Sequence, residues 1–172
     1  MGTHVSRGAD VQAVLDGVRR IVQALRASSR WAERHVGLSG AQLFVLQKLA
    51  ETPAISVNEL AERTHTHQSS VSAVISRLAE LGLVTRKRSA ADGRRVELSL
   101  AARARRVVGR APDVAQERLI RGIERLPPTR RHELALTLGE LATAMQADAS
   151  PPRIFFEERG ATRPAVRKAR RG

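Results

Sequence analysis

Between residues 68 and 81 the chain sets short hydroxyls at helical spacing. Ser69, Ser72 and Ser76 fall with Ala73 and Glu80 on one side of a helical wheel, opposite Val71, Val74, Ile75, Leu78 and Leu81. Ser70 and Arg77 take one flank of that wheel and Gln68 the other. Short hydroxyls let a helix come close to base edges and phosphates. Gln bonds bidentately to adenine, and Arg77 is long enough to reach a phosphate. Just downstream, Arg86, Lys87, Arg88, Arg94 and Arg95 surround a single acid, Asp92, within the turn sequence Ala91-Asp92-Gly93. Arginines at the tip of a narrow ribbon suit the minor groove, where negative potential attracts guanidinium groups. Asp92 is placed to hold a neighbouring arginine in one rotamer. Taken singly, each feature has a plainer reading, a solvated helix face or an exposed ion pair. Side by side they favour duplex nucleic acid.

Composition supports that partner and removes others. The chain has 172 residues, with 30 Lys+Arg against 17 Asp+Glu and a net charge of +13, so a polyanion is expected, duplex nucleic acid before an anionic membrane. Cysteine is absent, which excludes disulfides, thiolate nucleophiles and cysteine–metal sites. One Trp, three Phe and no Tyr leave little for stacking successive single-stranded bases. His65 and His67 have no cysteine to complete a zinc spacing, so neither a metal nor another cofactor is expected, and both fit better in a turn near a phosphate. No phosphate loop, dinucleotide fingerprint, nucleophile elbow or zincin pair occurs, so the chain is not expected to be an enzyme. No stretch approaches the roughly 18 apolar residues of a membrane span. Met1-Gly2-Thr3-His4 does not open an apolar leader, and a cytoplasmic location is expected.

The elements that must position these groups can be read from periodicity. Val11, Val14, Leu15, Val18, Ile21, Val22 and Leu25, extended by Trp31, predict a long first helix over about residues 10–34. Ser39 should cap a second helix carrying Leu43, Phe44, Leu46 and Leu49, ending before Pro53. Ser56 followed by Glu59 has the capping-box spacing and opens a short third helix. After a polar break at residues 65–68 comes the serine-faced fourth helix, which Gly82 ends. Residues 83–88 and 95–98 then read as two strands around the basic turn, with Val96 and Leu98 on one face. Ser99 is placed to cap a fifth helix, which Gly109 and Pro112 interrupt. Pro127-Pro128 starts a sixth, bearing Leu134, Leu138, Leu141 and Met145.

In this order the motifs resemble the MarR family of winged-helix transcriptional regulators, over about residues 10–147. The likeness rests on Leu60-Ala61, Ser69-Ser70-Val71-Ser72, Arg77-Leu78 and Leu81-Gly82-Leu83-Val84. Asp92-Gly93-Arg94-Arg95-Val96 with Leu98-Ser99 completes it. It implies a mainly α fold with a small β-hairpin wing: a winged helix-turn-helix lobe at 39–99, helical dimerisation arms at 10–35 and 100–147, and a basic tail at 148–172. It further implies a homodimer reading a pseudo-palindromic operator, with Arg94 at the wing tip and Asp92 its positioning partner. The expected DNA-binding residues are therefore Gln68, Ser69, Ser70, Ser72, Ser76, Arg77, Arg88, Asp92, Arg94 and Arg95. Pro112 and the length of the tail depart from the family pattern.

Apolar stripes on helices at both ends of the chain, separated by a compact centre, give dimerisation an independent reason, since a second copy would cover them. Trp31 and His35, four apart, are candidates to line a small-effector pocket, with Trp31 as plain core the competing reading. The tail carries seven basic residues against two acids and one apolar island, Ile154-Phe155-Phe156, which is expected to dock on the body or on a partner subunit. The function expected is a sequence-specific, homodimeric repressor released by a small ligand. The alternatives are a low-specificity architectural DNA binder and a membrane- or protein-interaction module using the tail.

Overall fold

A computed structural model describes residues 7–89, 93–147 and 154–155. Asp92 and nearly all of the tail therefore lie outside the described residues. The first helix, α1 (Arg7–Val36), runs beyond its apolar series at both ends and turns at Gly37, whose φ is 69°. Next comes α2 (Gly40–Glu51), opened by the expected Ser39 in a capping box: Ser39 Oγ accepts the Gln42 N–H at 3.2 Å, and Gln42 Oε1 accepts the Ser39 N–H at 2.9 Å. Every residue from Ala41 to Leu46 is buried, as is Leu49. A helix buried on so many sides belongs at the centre of a fold. Around α2 pack α1, α3 (Val57–Thr64), α4 (Gln68–Glu80) and α5 (Ala102–Val108).

The wing is the antiparallel pair β1 (Val84–Arg88) and β2 (Val96–Leu100), in register from Val84 opposite Leu100 to Arg88 opposite Val96. Gly82, at φ 67°, turns the end of α4 into β1. Ile55, just before α3, adds a short third rung by pairing with Leu98. Two expectations change here. Ser99 does not cap α5: it lies in β2 opposite Thr85, and Ala101 is the N-cap, without a side-chain bond. The ladder runs two residues further than the apolar pattern suggested, because Leu100 is buried as well as Leu98. Val96 shares their alternation but is exposed, since it sits at the outer end of the hairpin.

The interruption expected at Gly109 and Pro112 divides one helix into α5 and α6 (Ala115–Glu124), so that the last helix, α7 (Pro128–Ala144), is the seventh among the described residues. Side chains from elsewhere fasten the break. Gln47 Nε2 donates to Pro112 O at 2.9 Å, Gln47 Oε1 accepts the Val114 N–H at 3.4 Å, and Ser28 Oγ accepts the Ala115 N–H at 3.0 Å. Lys48 Nζ lies 2.7 Å from Glu117 Oε2, and both side chains are largely shielded. Burial disfavours the Lys48 ammonium. The Glu117 hydrogen bond and charge, with help from Glu51, outweigh it and raise the pKa above the usual lysine value.

Ile154, from the apolar island, is 2% exposed and belongs to the main core cluster with Phe44, Leu60 and Val114, so at this residue the island docks on the body of its own chain. Phe155 beside it is half exposed. Ile154→Ala should lower stability by about 2–5 kcal/mol through the cavity it leaves. Urea unfolding at constant m-value checks this; an unchanged midpoint would show that the island adds nothing to the core.

Candidate nucleic-acid interface

The turn between α3 and α4 is built by local hydrogen bonds. His65 takes the left-handed conformation (φ 51°, ψ 42°) and closes α3, its N–H donating to Glu62 O while Thr66 N–H donates to Ala61 O. Thr64 Oγ1, buried, bonds Leu60 O at 2.9 Å and meets Thr66 Oγ1 at 2.7 Å. The chain then enters α4 at once, with His67 as N-cap. This is a tight helix-turn-helix in which α3 braces α4.

On α4, Gln68, Ser69, Ala73, Arg77 and Glu80 are exposed, and Ser72 and Ser76 are half-buried. Ser70 is not on the outer surface. It is 6% exposed and shares the buried row with Val74 and Leu78, four and eight residues on, so its small size rather than its polarity decides its place. Arg77 Nη1 pairs with Glu80 Oε2 at 2.8 Å, an exposed contact that a phosphate can readily replace.

Two of the expected DNA-binding groups already hold the wing. Ser76 Oγ donates to Ser72 O and accepts from Arg86 Nη2, each at 2.9 Å, which ties β1 to α4. Arg95 Nη2 lies 2.5 Å from Glu59 Oε2, which ties the outer end of β2 to the start of α3. The Glu59 carboxyl is held below the usual range, first by the Ser56 N–H, then by the Ser56 hydroxyl, with Arg95 adding to both. Its contribution to folding is therefore complete above the ordinary carboxylate value of 4.5 and fades only as the pH falls through the lowered one. Arg88 and Arg94 are exposed. Arg88 shares the sheet face of Arg86, two residues away, and so the side that meets α4. The arrangement sets a serine-bearing helix beside an arginine-bearing hairpin, with cross-links at both strands.

A cleft of about 890 Å³ opens behind the turn, between Ala61, His65, His67 and Gln68 on one side and Gln116, Leu119, Ile120 and Ile123 of α6 on the other, with Phe155 at its edge. Neither Trp31 nor His35 lines it. Those two rings stack on each other with centroids 4.7 Å apart, and Trp31 packs against the core. Among the described residues no group of three potential ligands is placed for a metal ion. Periodicity had no means of pairing α6 with the turn. Glu59 and Arg86 were legible only as a cap residue and as part of a basic run.

Residues 36–95, which take in α2, α3, α4 and β1 and stop just short of β2, match the sequence profile of the MarR family. Over those residues the chain is similar to the MarR family. Similar curated proteins include the HTH-type transcriptional repressor Rv2887 of Mycobacterium tuberculosis, 27% identical over 72% of this chain and 89% of that one. The HTH-type transcriptional repressor MdtR of Bacillus subtilis is 32% identical over 54% of this chain and 57% of its own. Among solved structures, the transcriptional regulator BldR of Sulfolobus solfataricus shares the fold at a TM-score of 0.52 and 20% identity, covering 81% of this chain and 99% of that one. Among the described residues no helix is long and apolar enough to cross a membrane.

The different surroundings of neighbouring serines give a direct check. Ser70→Asp should lower the urea midpoint, because it buries an unpaired charge. Ser69→Asp should leave the midpoint in place and weaken duplex binding by setting an acid against phosphates. Equal effects of the two on stability would contradict the orientation of α4.

Proposed function

We propose that this protein is a sequence-specific transcriptional repressor of MarR type, not an enzyme, working in the cytoplasm as a homodimer on a pseudo-palindromic operator. The observation that carries this reading is the cross-linked pair of α4 and wing. Gln68, Ser69, Ser72 and Arg77 enter the major groove, Arg88 and Arg94 serve the backbone and the flanking minor groove, and Asp92 belongs with the wing tip. Ser76 and Arg95 act mainly as struts. The curated relatives' description as transcriptional repressors supports the direction of regulation.

Dimerisation answers a deficit in the single chain. Val11, Val14, Leu15, Val18 and Ile21 on α1 are exposed, as are Leu134, Leu138, Leu141 and Met145 on α7. The 17 residues of α7 bury no side chain within the chain. An isolated helix of that length is marginal in water, so a second subunit is the natural cover for its apolar side. We assign residues 10–35 and 100–147 to the dimer arms and 39–99 to the DNA-binding lobe. Leu138→Glu should convert a dimer to a monomer in sedimentation and cost most of the duplex affinity; a variant that stays dimeric would count against this interface.

The small ligand belongs, in this reading, to the cleft between the turn and α6 rather than to the Trp31–His35 stack. Leu119, Ile120, Ile123 and Phe155 offer it apolar contact, and His65, His67 and Gln116 offer hydrogen bonds. A ligand wedged there acts on the start of α4 and on the dimer arm together.

Selection of bound duplexes from a random pool tests the central claim, and inverted repeats with half-site centres about 10 bp apart are expected. The selected duplex should outbind a scrambled one by at least about 10³, and Arg94→Ala should cost about tenfold at physiological salt. Little preference with a steep salt slope would instead favour a low-specificity architectural binder, a reading that the serine-rich face of α4 keeps in play.

A further inference from the structure

The helices α2 and α3 begin with the same capping device but use different residues at its third position. Ser39 is answered by Gln42, and Ser56 by Glu59. A capping box needs only an acceptor on that side chain, and Gln42 shows that an amide suffices in this fold. The charge on Glu59 therefore serves something besides the cap. Its Oε2 gathers three donors: Ser56 N at 2.7 Å, Ser56 Oγ at 2.8 Å and Arg95 Nη2 at 2.5 Å.

Arg95 stands between the tip residues Gly93 and Arg94 and the first residue of β2, and its carbonyl accepts the Ser89 N–H at 2.8 Å across the hairpin. The segment leading into α3 also grips β2 lower down, where Leu98 N–H donates to Ile55 O at 2.8 Å and Ala54 N–H to Leu98 O at 3.0 Å. One backbone rung is a pivot. A second hold at Arg95, three residues nearer the tip and about 10 Å along the strand, turns the pivot into a fixed direction.

We infer that Glu59 is a positioning residue for DNA recognition: through Arg95 it sets the angle at which the wing tip is presented beside α4, without itself touching DNA. The inference rests on the DNA-binding reading above, and it reverses the sign that charge alone predicts. Removing an acid from a DNA-facing lobe strengthens attraction to phosphates. Removing a strut that aims Arg94 weakens specific binding.

The test uses the full-length dimer and the variant Glu59→Gln, which keeps an acceptor for the Ser56 cap and loses the ion pair. Without DNA, amide relaxation at Gly93 and Arg94 should report a more mobile tip, with only a small fall in the urea midpoint from the lost exposed ion pair. With the selected duplex, specific affinity should fall about tenfold, the loss confined to hydroxyl-radical protection at the outer flanks, with the central protection kept. Arg95→Gln should reproduce these changes, and the double variant should be no worse than either single one.

Unchanged tip relaxation in Glu59→Gln, or wild-type or tighter specific binding with flank protection intact, would overturn the inference. Additive losses in the double variant would also do so, because Arg95 would then be contacting DNA on its own account. A wild-type protein that does not discriminate the selected duplex from a scrambled one, while its Glu59→Gln tip still loosens, would refute the repressor reading and leave the strut standing.

Discussion

Phe44 and its neighbours Leu43, Val45 and Leu46 have no exposed surface, and that burial constrains everything the chain shows to the outside. Because α2 is buried along most of its length, it cannot lie at an edge, and the remaining elements must surround it: α1 on one side, α3 and α4 on another, α5 and β2 closing the rest. Their outward faces then follow. With Val71, Val74, Ile75 and Leu78 committed to the core, α4 has only its serine side left for solvent. With Leu98 and Leu100 committed, β2 has only its outer end free to project. The serine-bearing face of α4 and the outer end of the hairpin are what the packing of one central helix leaves over.

Several polar groups near that surface hold the lobe together. Ser76, Arg86, Glu59 and Arg95 satisfy one another across α4, β1, α3 and β2, and in doing so they stiffen a two-stranded ribbon that has little packing of its own. Arg77, Arg88 and Arg94 stand outside those two cross-links. A basic run in a sequence looks uniform, but the fold gives its arginines different surroundings: Arg86 meets Ser76 on α4, while Arg95 is turned back to the Glu59 carboxylate.

Much of this was legible from residue order. Ser39 and Ser56 marked their helices because capping is a local interaction, complete within four residues. Gly82 and the Gly109–Pro112 interruption were visible for the same reason, each acting through its own backbone. What escaped was whatever depended on partners distant in sequence. Ser70 reads as surface by type and is core by position. Ser99 reads as a cap and is claimed by a strand partner 14 residues away, Thr85. The bond from Arg95 to Glu59 spans 36 residues, and the cleft needs α6 brought against the turn, which no period of 3.6 or 2 encodes.

The splice between α5 and α6 has a mechanical consequence. An unbroken helix over residues 102–124 would be a beam, carrying torque along its whole length and yielding only by bending throughout. Here the continuity is cut at Pro112 and replaced by the amide of Gln47, the hydroxyl of Ser28 and the Lys48–Glu117 contact. Such a joint concentrates compliance in about half a dozen residues. Misfit between the two ends is absorbed by bonds that break and re-form one at a time, while the helices on either side stay straight.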